Sequence, residues 1–377
     1  MISKFFSFFY FYQWWKNLDK FTLSIVITLF ITGLFFSLVS TSLIASDKLN
    51  TNSYFFFFKH LIFVILGLLI IFIFSYLDQD SLFRISIYIF FFSLILLILV
   101  PLIGVNVKGS KRWLDLFILP RIQPIEFVKP FFIIIIGLII SNNQISSFTL
   151  KFFVTFLITS SIAILLIIQP DLGQTLLIVI SWILLIFISG ISLLTLSLLS
   201  IVGLSFLLYL VFYVPKFLYI KNRIFSFFDK ESGSYNFQSD KAIDSITSGG
   251  FFGKGIGEGT LKNRVPEAHT DYIISVISEE FGIIAIILIL ILFLTFIFSV
   301  LKKVEKITDN KVKLILVGSI SLILFQAMIH IGVNIRLFPT TGMTLPFLSY
   351  GGSSIISVSL LSGIILNLTK RKVEIQR

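Results

Sequence analysis

The chain has no cysteine and few charged residues, and each of these shortages excludes a class of protein. Without cysteine it can form neither disulfide bonds nor metal sites with cysteine ligands. Charged residues make up 13% of its 377 residues, well below the ~25% of soluble globular domains. Hydrophobic residues make up 56%. This balance excludes a soluble globular protein and predicts an all-α polytopic membrane protein whose helices pack in one bundle.

Long apolar runs recur along the chain, and a helix of about 20 apolar residues can cross the ~30 Å hydrocarbon core of a membrane. We predict about ten such spans, near residues 21–44, 57–77, 83–103, 127–141, 152–168, 174–190, 193–214, 272–300, 312–335 and 352–369. An even number of spans places both termini on the same side of the membrane. The lysines of the 301–313 loop and the basic tail place that side in the cytoplasm by the positive-inside rule.

The expected layout is a single membrane domain over residues 1–377 with three more polar parts. A cytoplasmic interfacial segment occupies 1–20, where neighbouring tryptophan and lysine residues suit the headgroup region. A large extracytoplasmic loop, 215–271, joins the seventh span to the eighth. A cytoplasmic tail occupies 370–377. The polar chemistry of the protein is therefore expected in the loops at the ends of the spans.

Two segments that this topology places outside the cell, 104–126 and 215–271, are themselves basic. Long loops cross the membrane regardless of charge, so the topology stands. A cluster of cations on the outer face suits an anionic ligand, with phosphate the obvious group. A solvated surface, or one that binds anionic lipid, accounts for the same charges.

A polar block between the third and fourth spans, 108–129, reads KGSKRWLDLFILPRIQPIEFVK. Pro124 suits the first turn of the fourth span, where its missing N–H costs nothing. Glu126 and Lys129 are three residues apart and share a helical face. Ionisable side chains at a membrane edge are functional candidates, although these two can simply neutralise each other.

Two further motifs have simple structural interpretations. Asp171 in the sequence QPDLG follows a proline and is expected to cap the sixth span. Glycines are dense over 249–259 with a spacing similar to that of phosphate-binding loops. No strand-to-helix unit of the soluble type surrounds them, so we reject a nucleotide-binding fold.

The stretch 265–282, VPEAHTDYIISVISEEFG, brings Glu267, His269 and Asp271 up against the eighth span. It also closes the longest hydrophilic segment of the chain. A last polar block, 334–354, reads NIRLFPTTGMTLPFLSYGGSS and precedes the tenth span. Ionisable groups thus gather at the mouths of the spans, while the membrane interior stays poor in charge.

These four blocks, in this order, resemble the signature of the SEDS family of cell-wall proteins (shape, elongation, division and sporulation). The matching residues are Gly109, Arg112, Trp113, Gln123, Pro124, Glu126, Lys129, 169–173, Pro266, Glu267, His269, Thr270, Asp271, 279–282, Pro339, Gly342, 345–347 and 349–353. The long loop is also similar at Arg223 and in its glycines. Ile125 departs from a common serine. The segments 127–130, 257–260 and 342–346 favour the division branch over the elongation branch, although Thr341 stands where many division members carry lysine.

The resemblance implies a peptidoglycan glycosyltransferase that polymerises lipid II into glycan strands at the outer face of the cytoplasmic membrane and releases undecaprenyl diphosphate. Such a reaction needs one base for a sugar hydroxyl and cations for the leaving pyrophosphate. The implied base is Asp271. The implied pyrophosphate-binding residues are Lys108, Lys111, Arg112, Lys129 and Arg223. The implied supporting residues of the cavity are Glu126, Asp171, Ser248, Glu267, His269 and Ser349.

No dedicated metal site is expected from the sequence, and the cofactor assignment stays open for a divalent cation, Mg²⁺ or Mn²⁺, that bridges the phosphates. The resemblance implies the bacterial inner membrane at the division septum as the location. Its implied partners are lipid II, the nascent glycan strand, a single-span class B penicillin-binding transpeptidase and other division proteins, with no nucleic acid.

Four alternatives stay open. His269 is a stronger base than a carboxylate near neutral pH and lies two residues from Asp271. An elongation-type polymerase would share the same blocks. A lipid II flippase would also have ten spans with proline and glycine breaks. A purely scaffolding division protein would leave the basic outer segments unexplained.

Overall fold

The structure is a computed structural model that describes residues 11–41, 54–107, 110–115, 120–145, 147–214, 217–228, 237–261 and 265–370. Within these residues the regular structure is almost entirely helical. The helices are α1 (Lys20–Thr41), α2 (Phe55–Tyr76), α3 (Gln79–Ile103), α4 (Pro124–Ser141), α5 (Phe148–Ile168), α6 (Leu172–Ile188), α7 (Leu193–Tyr213), α8 (Leu218–Phe228), α9 (Phe237–Gly249), α10 (Ile273–Val304), α11 (Asn310–Asn334) and α12 (Gly352–Leu368). The strands β1 (Val105–Val107) and β2 (Ser110–Trp113) pair as an antiparallel hairpin.

Each of the ten predicted spans coincides with a helix, which confirms an all-α polytopic membrane protein. Among the described helices, seven are long and apolar enough to cross a membrane: α1 to α5, α10 and α11. The other three predicted spans correspond to shorter apolar stretches, Leu172–Ile188, Leu193–Gly203 and Gly352–Leu368. The two helices α8 and α9 lie in the long loop and were not predicted, because their apolar faces are too short to stand out from its polar residues.

Helix ends are set by caps that the apolar pattern alone does not show. The predicted third span begins near residue 83, whereas α3 begins at Gln79 because the Asp78 carboxylate accepts a hydrogen bond from Ser81 N at 2.9 Å. This hydrogen bond lowers the pKa of Asp78. Pro124 starts α4, as predicted. Asp171 caps α6 by accepting from Gln174 N at 3.4 Å, also as predicted.

The centre of the bundle is formed by α4, α11 and α12. In the most apolar stretch of α4, 78% of the residues are buried, against 22% in α2. Helix α12 is buried along almost its whole length and packs along α2. Gly67 of α2 permits this approach, since a Cβ there would lie 2.3 Å from Ser359 Oγ. Peripheral helices therefore shield a central set that carries the loops described below.

One end of the bundle gathers the start of α1 and the ends of α10 and α12. Lys303 near the end of α10 forms an ion pair with Asp19, and its Nζ donates to Thr22 Oγ1 at 3.0 Å. Lys370, after α12, donates to Leu77 O at 3.0 Å. We call this the basic end. Helices α1, α10 and α12 thus share one boundary of the bundle.

Helix α10 is broken at Gly282, where φ is 73° and ψ is −176°. The apolar pattern predicted a single span over 272–300, without this break. At the break, main-chain groups that lose their helical partners bond to the glycine-rich loop instead. Lys254 N donates to Glu279 O at 2.9 Å, and Ile283 N donates to Gly250 O at 3.0 Å. The loop therefore completes the hydrogen bonding of a broken membrane helix.

The glycines of this loop allow the two backbones to touch. A Cβ at Gly249 would lie 1.9 Å from Ser278 O, and one at Gly253 would lie 2.1 Å from Glu280 O. Real Cβ atoms do not come so close, so larger residues would separate the loop from α10. This close packing accounts for Gly249 and Gly253 without any phosphate-binding role.

We predict that Gly253→Ala destabilises the protein far more than Gly250→Ala. Both glycines have positive φ, 79° and 58°, so alanine costs about 1–2 kcal/mol at either position. Only at Gly253 does the new methyl group meet backbone, which adds about 1–3 kcal/mol. A Cβ at Gly250 meets nothing within 4 Å.

Thermal unfolding of the two variants in detergent, followed by size-exclusion chromatography, measures the difference. Equal melting temperatures for both variants would contradict close packing of the loop against α10.

Candidate functional site

A tight turn before α10 presents Asp271. Glu267 has a left-handed backbone with φ of 56°, and its carbonyl accepts N–H bonds from Thr270 and Asp271, both at 3.1 Å. The Thr270 hydroxyl also bonds the Glu267 carboxylate at 3.1 Å. The predicted supporting residue Glu267 thus shapes the turn on which Asp271 sits.

Three polar side chains on one face of α11 hold this region in place. Gln326, His330 and Asn334 are spaced four residues apart and are all buried. Asn334 Nδ2 donates to Asp271 O at 3.0 Å. His330 Nδ1 lies 2.7 Å from Met343 O, and Gln326 Nε2 donates to Thr344 O at 3.0 Å. One helix face therefore positions both Asp271 and the segment before α12.

These three residues were absent from the predicted site. Their four-residue spacing in an otherwise apolar helix was the available signal, since buried polar groups in a membrane helix need partners. The sequence did not show that the partners would be main-chain carbonyl groups far along the chain.

Arg112 approaches from β2 and crosses to the turn before α6. Its guanidinium donates to Pro170 O, and its Nε donates to Gln169 O at 3.4 Å. The same Nε lies 3.8 Å from Asp171 Oδ2. The Asp171 carboxylate also accepts from Gln123 Nε2 at 3.0 Å. Arg112 and Asp171, which were both predicted as site residues, thus lie together. These contacts hold the planar guanidinium in one orientation.

Burial raises the pKa of Asp171, and the neighbouring Arg112 guanidinium opposes this shift. The charged form of Asp171 is therefore favoured mainly by Arg112. Since the arginine side chain is only 14% exposed and that of Asp171 3% exposed, water screens the pair weakly. A mutation of either residue would leave a buried charge without its counterpart.

Asp271 and Arg112 meet beside Gly342. An ideal Cβ at Gly342 would lie 3.6 Å from Asp271 Oδ2 and 3.7 Å from Arg112 Nη1. Gly342 has φ of 72°, which L side chains rarely adopt. The Asp271 carboxylate and the Arg112 guanidinium therefore both lie next to the same point. No side chain occupies this point, because residue 342 is glycine. We call this point the Gly342 gap.

A second arginine approaches the same segment. Arg223 of α8 donates from Nη1 to Thr340 O at 3.2 Å, two residues before Gly342. Lys111 is exposed on β2, next to Arg112 in sequence. Lys108 lies outside the described residues. The structure thus brings Arg112 and Arg223 to the 340–342 segment, and Lys111 lies on the strand that carries Arg112.

Lys129 has a different environment from the other predicted phosphate-binding residues. Its Nζ lies 2.7 Å from Glu126 Oε2 and donates to Gln326 Oε1 at 3.1 Å, and it is fully buried. Glu126 also accepts from Gln174 Nε2 at 2.8 Å. The charge of Lys129 is thus neutralised inside the bundle, which is the structural alternative that the sequence left open. Its role in phosphate binding stays a prediction.

Three other predicted residues have clear positions. The His269 ring packs on Tyr350, with centroids 6.0 Å apart, and His269 O accepts from Tyr350 N at 3.1 Å. The Ser349 hydroxyl donates to Thr270 O at 2.7 Å and so ties the last block to the Asp271 turn. Ser248 lies in α9 and bonds within its own helix, to the carbonyl of residue 245 at 2.9 Å.

Comparisons with known proteins identify the family of the chain. The family described as cell cycle protein, FtsW/RodA/SpoVE, matches residues 20–374. A curated relative from Caulobacter vibrioides, named probable peptidoglycan glycosyltransferase FtsW, is 32% identical over 364 residues, which cover 95% of this chain and 91% of the relative. Stage V sporulation protein E of Bacillus subtilis is 33% identical over 356 residues, covering 92% and 96%.

The fold is shared with a solved structure described as "Structural coordination of polymerization and crosslinking by a peptidoglycan synthase complex". The TM-score is 0.75 at 23% sequence identity, and the match covers 93% of this chain and 97% of that chain. The order of the four sequence blocks and the loops that they form at one end of the bundle fit the same assignment. The chain belongs to the FtsW/RodA/SpoVE family of cell-cycle proteins, the SEDS family that its sequence blocks resemble.

Proposed function

We propose that the protein is a peptidoglycan glycosyltransferase of the division type, which polymerises lipid II into glycan strands during septal wall synthesis. The observation that carries the proposal is the Gly342 gap, where the Asp271 carboxylate and the Arg112 guanidinium face one point. The names of its relatives from Caulobacter vibrioides and other bacteria support the same activity. A base beside a held cation is the minimum that glycosyl transfer from a lipid pyrophosphate requires.

In this proposal Asp271 acts as the general base. It takes the proton of the acceptor sugar's 4-hydroxyl group as that oxygen bonds to the anomeric carbon of the donor. The bond from this carbon to the pyrophosphate oxygen breaks, and undecaprenyl diphosphate leaves with the electron pair. Asn334 holds the Asp271 main chain at 3.0 Å, so the carboxylate starts from a defined position. His269 packs against Tyr350 and has a positioning role.

Arg112 and Arg223 stabilise the leaving pyrophosphate. Arg112 is held by two main-chain carbonyl groups and Asp171, so little reorganisation is needed when negative charge develops. Arg223 donates to Thr340 O, two residues before Gly342. Lys111 adds positive charge from β2. Thr341 stands where many division members carry lysine, so in this chain the cations proposed for the pyrophosphate are Arg112, Arg223 and Lys111.

A divalent cation would need the pyrophosphate oxygens as ligands. Among the described residues no group of three or more histidine, aspartate or glutamate side chains could hold a metal ion. Mg²⁺ is commonly held by one or two carboxylates together with substrate phosphates. Any requirement for Mg²⁺ or Mn²⁺ would therefore depend on bound lipid II.

The proposed location is the bacterial inner membrane, with the chain forming one membrane domain. The end with the Gly342 gap faces the outside, and the basic end faces the cytoplasm, in accord with the positive-inside rule. A class B penicillin-binding transpeptidase is the proposed partner, because the fold is shared with a chain of a structure described as a peptidoglycan synthase complex. Its crosslinking reaction would use the strands that this protein makes.

The first test removes the base. Asp271→Asn keeps the size of the side chain and the Asn334 bond to the main chain, but it cannot accept a proton. We expect polymerisation of labelled lipid II by the purified protein with its transpeptidase partner to fall about 10²- to 10⁴-fold.

The matched control is Asp244→Asn on α9, where the carboxylate pairs with Lys241 and is 53% exposed. We expect this variant to polymerise like the wild type. Undiminished polymerisation by Asp271→Asn would refute the catalytic assignment. Movement of lipid II between vesicle leaflets without any polymer would identify a flippase.

The second test compares two arginines of one loop. Arg112→Gln should raise the KM for lipid II about tenfold or more, because a charge-assisted hydrogen bond to phosphate is lost. Arg121→Gln should leave KM unchanged, since Arg121 is 56% exposed and pairs with Asp115 at the surface.

Steady-state kinetics at matched protein stability separate the two variants. If KM increased equally in the Arg112→Gln and Arg121→Gln variants, the arginines would act through diffuse positive charge. That result would contradict a specific pyrophosphate site at Arg112.

A further inference from the structure

A second polar cavity lies at the basic end, far along the bundle from the Gly342 gap. Its volume is about 750 Å³, and it lies where α1, α3, α10, α11 and α12 meet. Five lysines line it: Lys16, Lys20, Lys303, Lys306 and Lys370. We call it the lysine cavity. None of the residues of the proposed reaction belongs to it.

The lysine cavity has an excess of positive charge. Its lining includes two carboxylates, and both already have structural roles. Asp19 pairs with Lys303 and accepts from Thr22 N at 3.3 Å, while Asp309 caps α11 through Lys311 N at 2.9 Å. The described lining thus carries five ammonium groups and two carboxylates, and a third carboxylate, Asp78, lies close enough to act on Lys370. A partly open cavity lined mainly by one sign of charge concentrates ions of the opposite sign.

Lys370 is partly removed from water in this cavity. Burial lowers its pKa to about 8, and Asp78 opposes the shift only in part. Its Nζ donates to a neutral acceptor, Leu77 O, at 3.0 Å. An anion in the cavity would favour the charged form of Lys370 and would offset part of the desolvation that lowers its pKa.

The surroundings of the cavity are those of a membrane interface. Lys20 Nζ lies 5.2 Å from the centre of the Trp15 ring, and Trp15 is 44% exposed. Phe21 lines the cavity, is 60% exposed and begins an apolar surface on α1 that continues at Ile31, also 60% exposed. A ligand with an anionic head and an apolar tail fits both parts.

We propose that the lysine cavity binds the phosphate headgroup of an anionic phospholipid, whose acyl chain lies along the exposed face of α1. Lysines near a membrane surface attract anionic lipids, and several lysines around one cavity make that attraction more selective. The site would tie α1, α10 and α12 together at the end opposite the Gly342 gap. This inference does not depend on the proposed reaction.

The test measures lipid retention by the purified full-length protein. Native mass spectrometry from micelles that contain phosphatidylglycerol or phosphatidylcholine gives the occupancy of each lipid. We expect wild type to retain phosphatidylglycerol about tenfold better, and the double variant Lys16→Gln with Lys306→Gln to lose at least about fivefold of that preference. Both lysines are exposed, so the fold should survive.

The matched control is Lys302→Gln with Lys313→Gln, which removes the same charge from the same end but outside the lysine cavity. It should keep the wild-type preference within about twofold. Equal losses in the two double variants would overturn the proposal in favour of a diffuse basic surface.

Two competition experiments identify the source of the anion. Millimolar inorganic phosphate should not displace phosphatidylglycerol, because it has no apolar tail to bury along α1. Displacement by inorganic phosphate would show a site for soluble phosphate instead. Displacement by a poly-glutamate peptide, with no lipid preference in wild type, would show an acidic protein segment as the ligand. Either result would overturn the lipid assignment.

Discussion

The hydrogen bonds from the polar face of α11 are the constraint on which the candidate site depends. Gln326, His330 and Asn334 donate to or contact main-chain carbonyl groups of Thr344, Met343 and Asp271. Buried in a membrane bundle, these side chains and carbonyls have few other partners, so leaving them unpaired costs several kcal/mol. The helix therefore fixes two loops that are about 70 residues apart in the chain. The Asp271 turn is thereby held near the segment that contains Gly342, which Arg112 also approaches.

The same requirement explains the irregular parts of the bundle. Helix α10 breaks at Gly282, yet the glycine-rich loop replaces its lost hydrogen bonds. Glu126 and Lys129 are buried together and are satisfied by Gln174 and Gln326. Irregular backbone and buried charge are tolerated only where the surrounding protein supplies partners. Gln326 also donates to Thr344 O, so the contacts of the buried Glu126–Lys129 pair continue to the segment that contains Gly342.

Much of this could be predicted from the sequence, but some of it could not. The spans follow from apolar runs, and the Asp171 cap follows from its position after a proline. The break at Gly282 was missed because hydropathy does not distinguish a continuous helix from one that a loop interrupts. The roles of Gln326 and Asn334 were missed because their partners are main-chain atoms, which have no sequence signature. The buried state of Lys129 was open, since a pair three residues apart fits a surface or an interior.

The amino-acid sequence by itself determined the membrane class, the positions of the spans and the set of polar blocks that identify the family. These properties depend on local composition and spacing, which the chain carries directly. Only the tertiary structure decided which charged groups face one another. Arg112 and Asp271 are 159 residues apart in the chain of 377, and their approach to Gly342 depends on the packing of α11 against the loops. Packing and hydrogen bonds between distant segments set that geometry, so no local pattern could specify it.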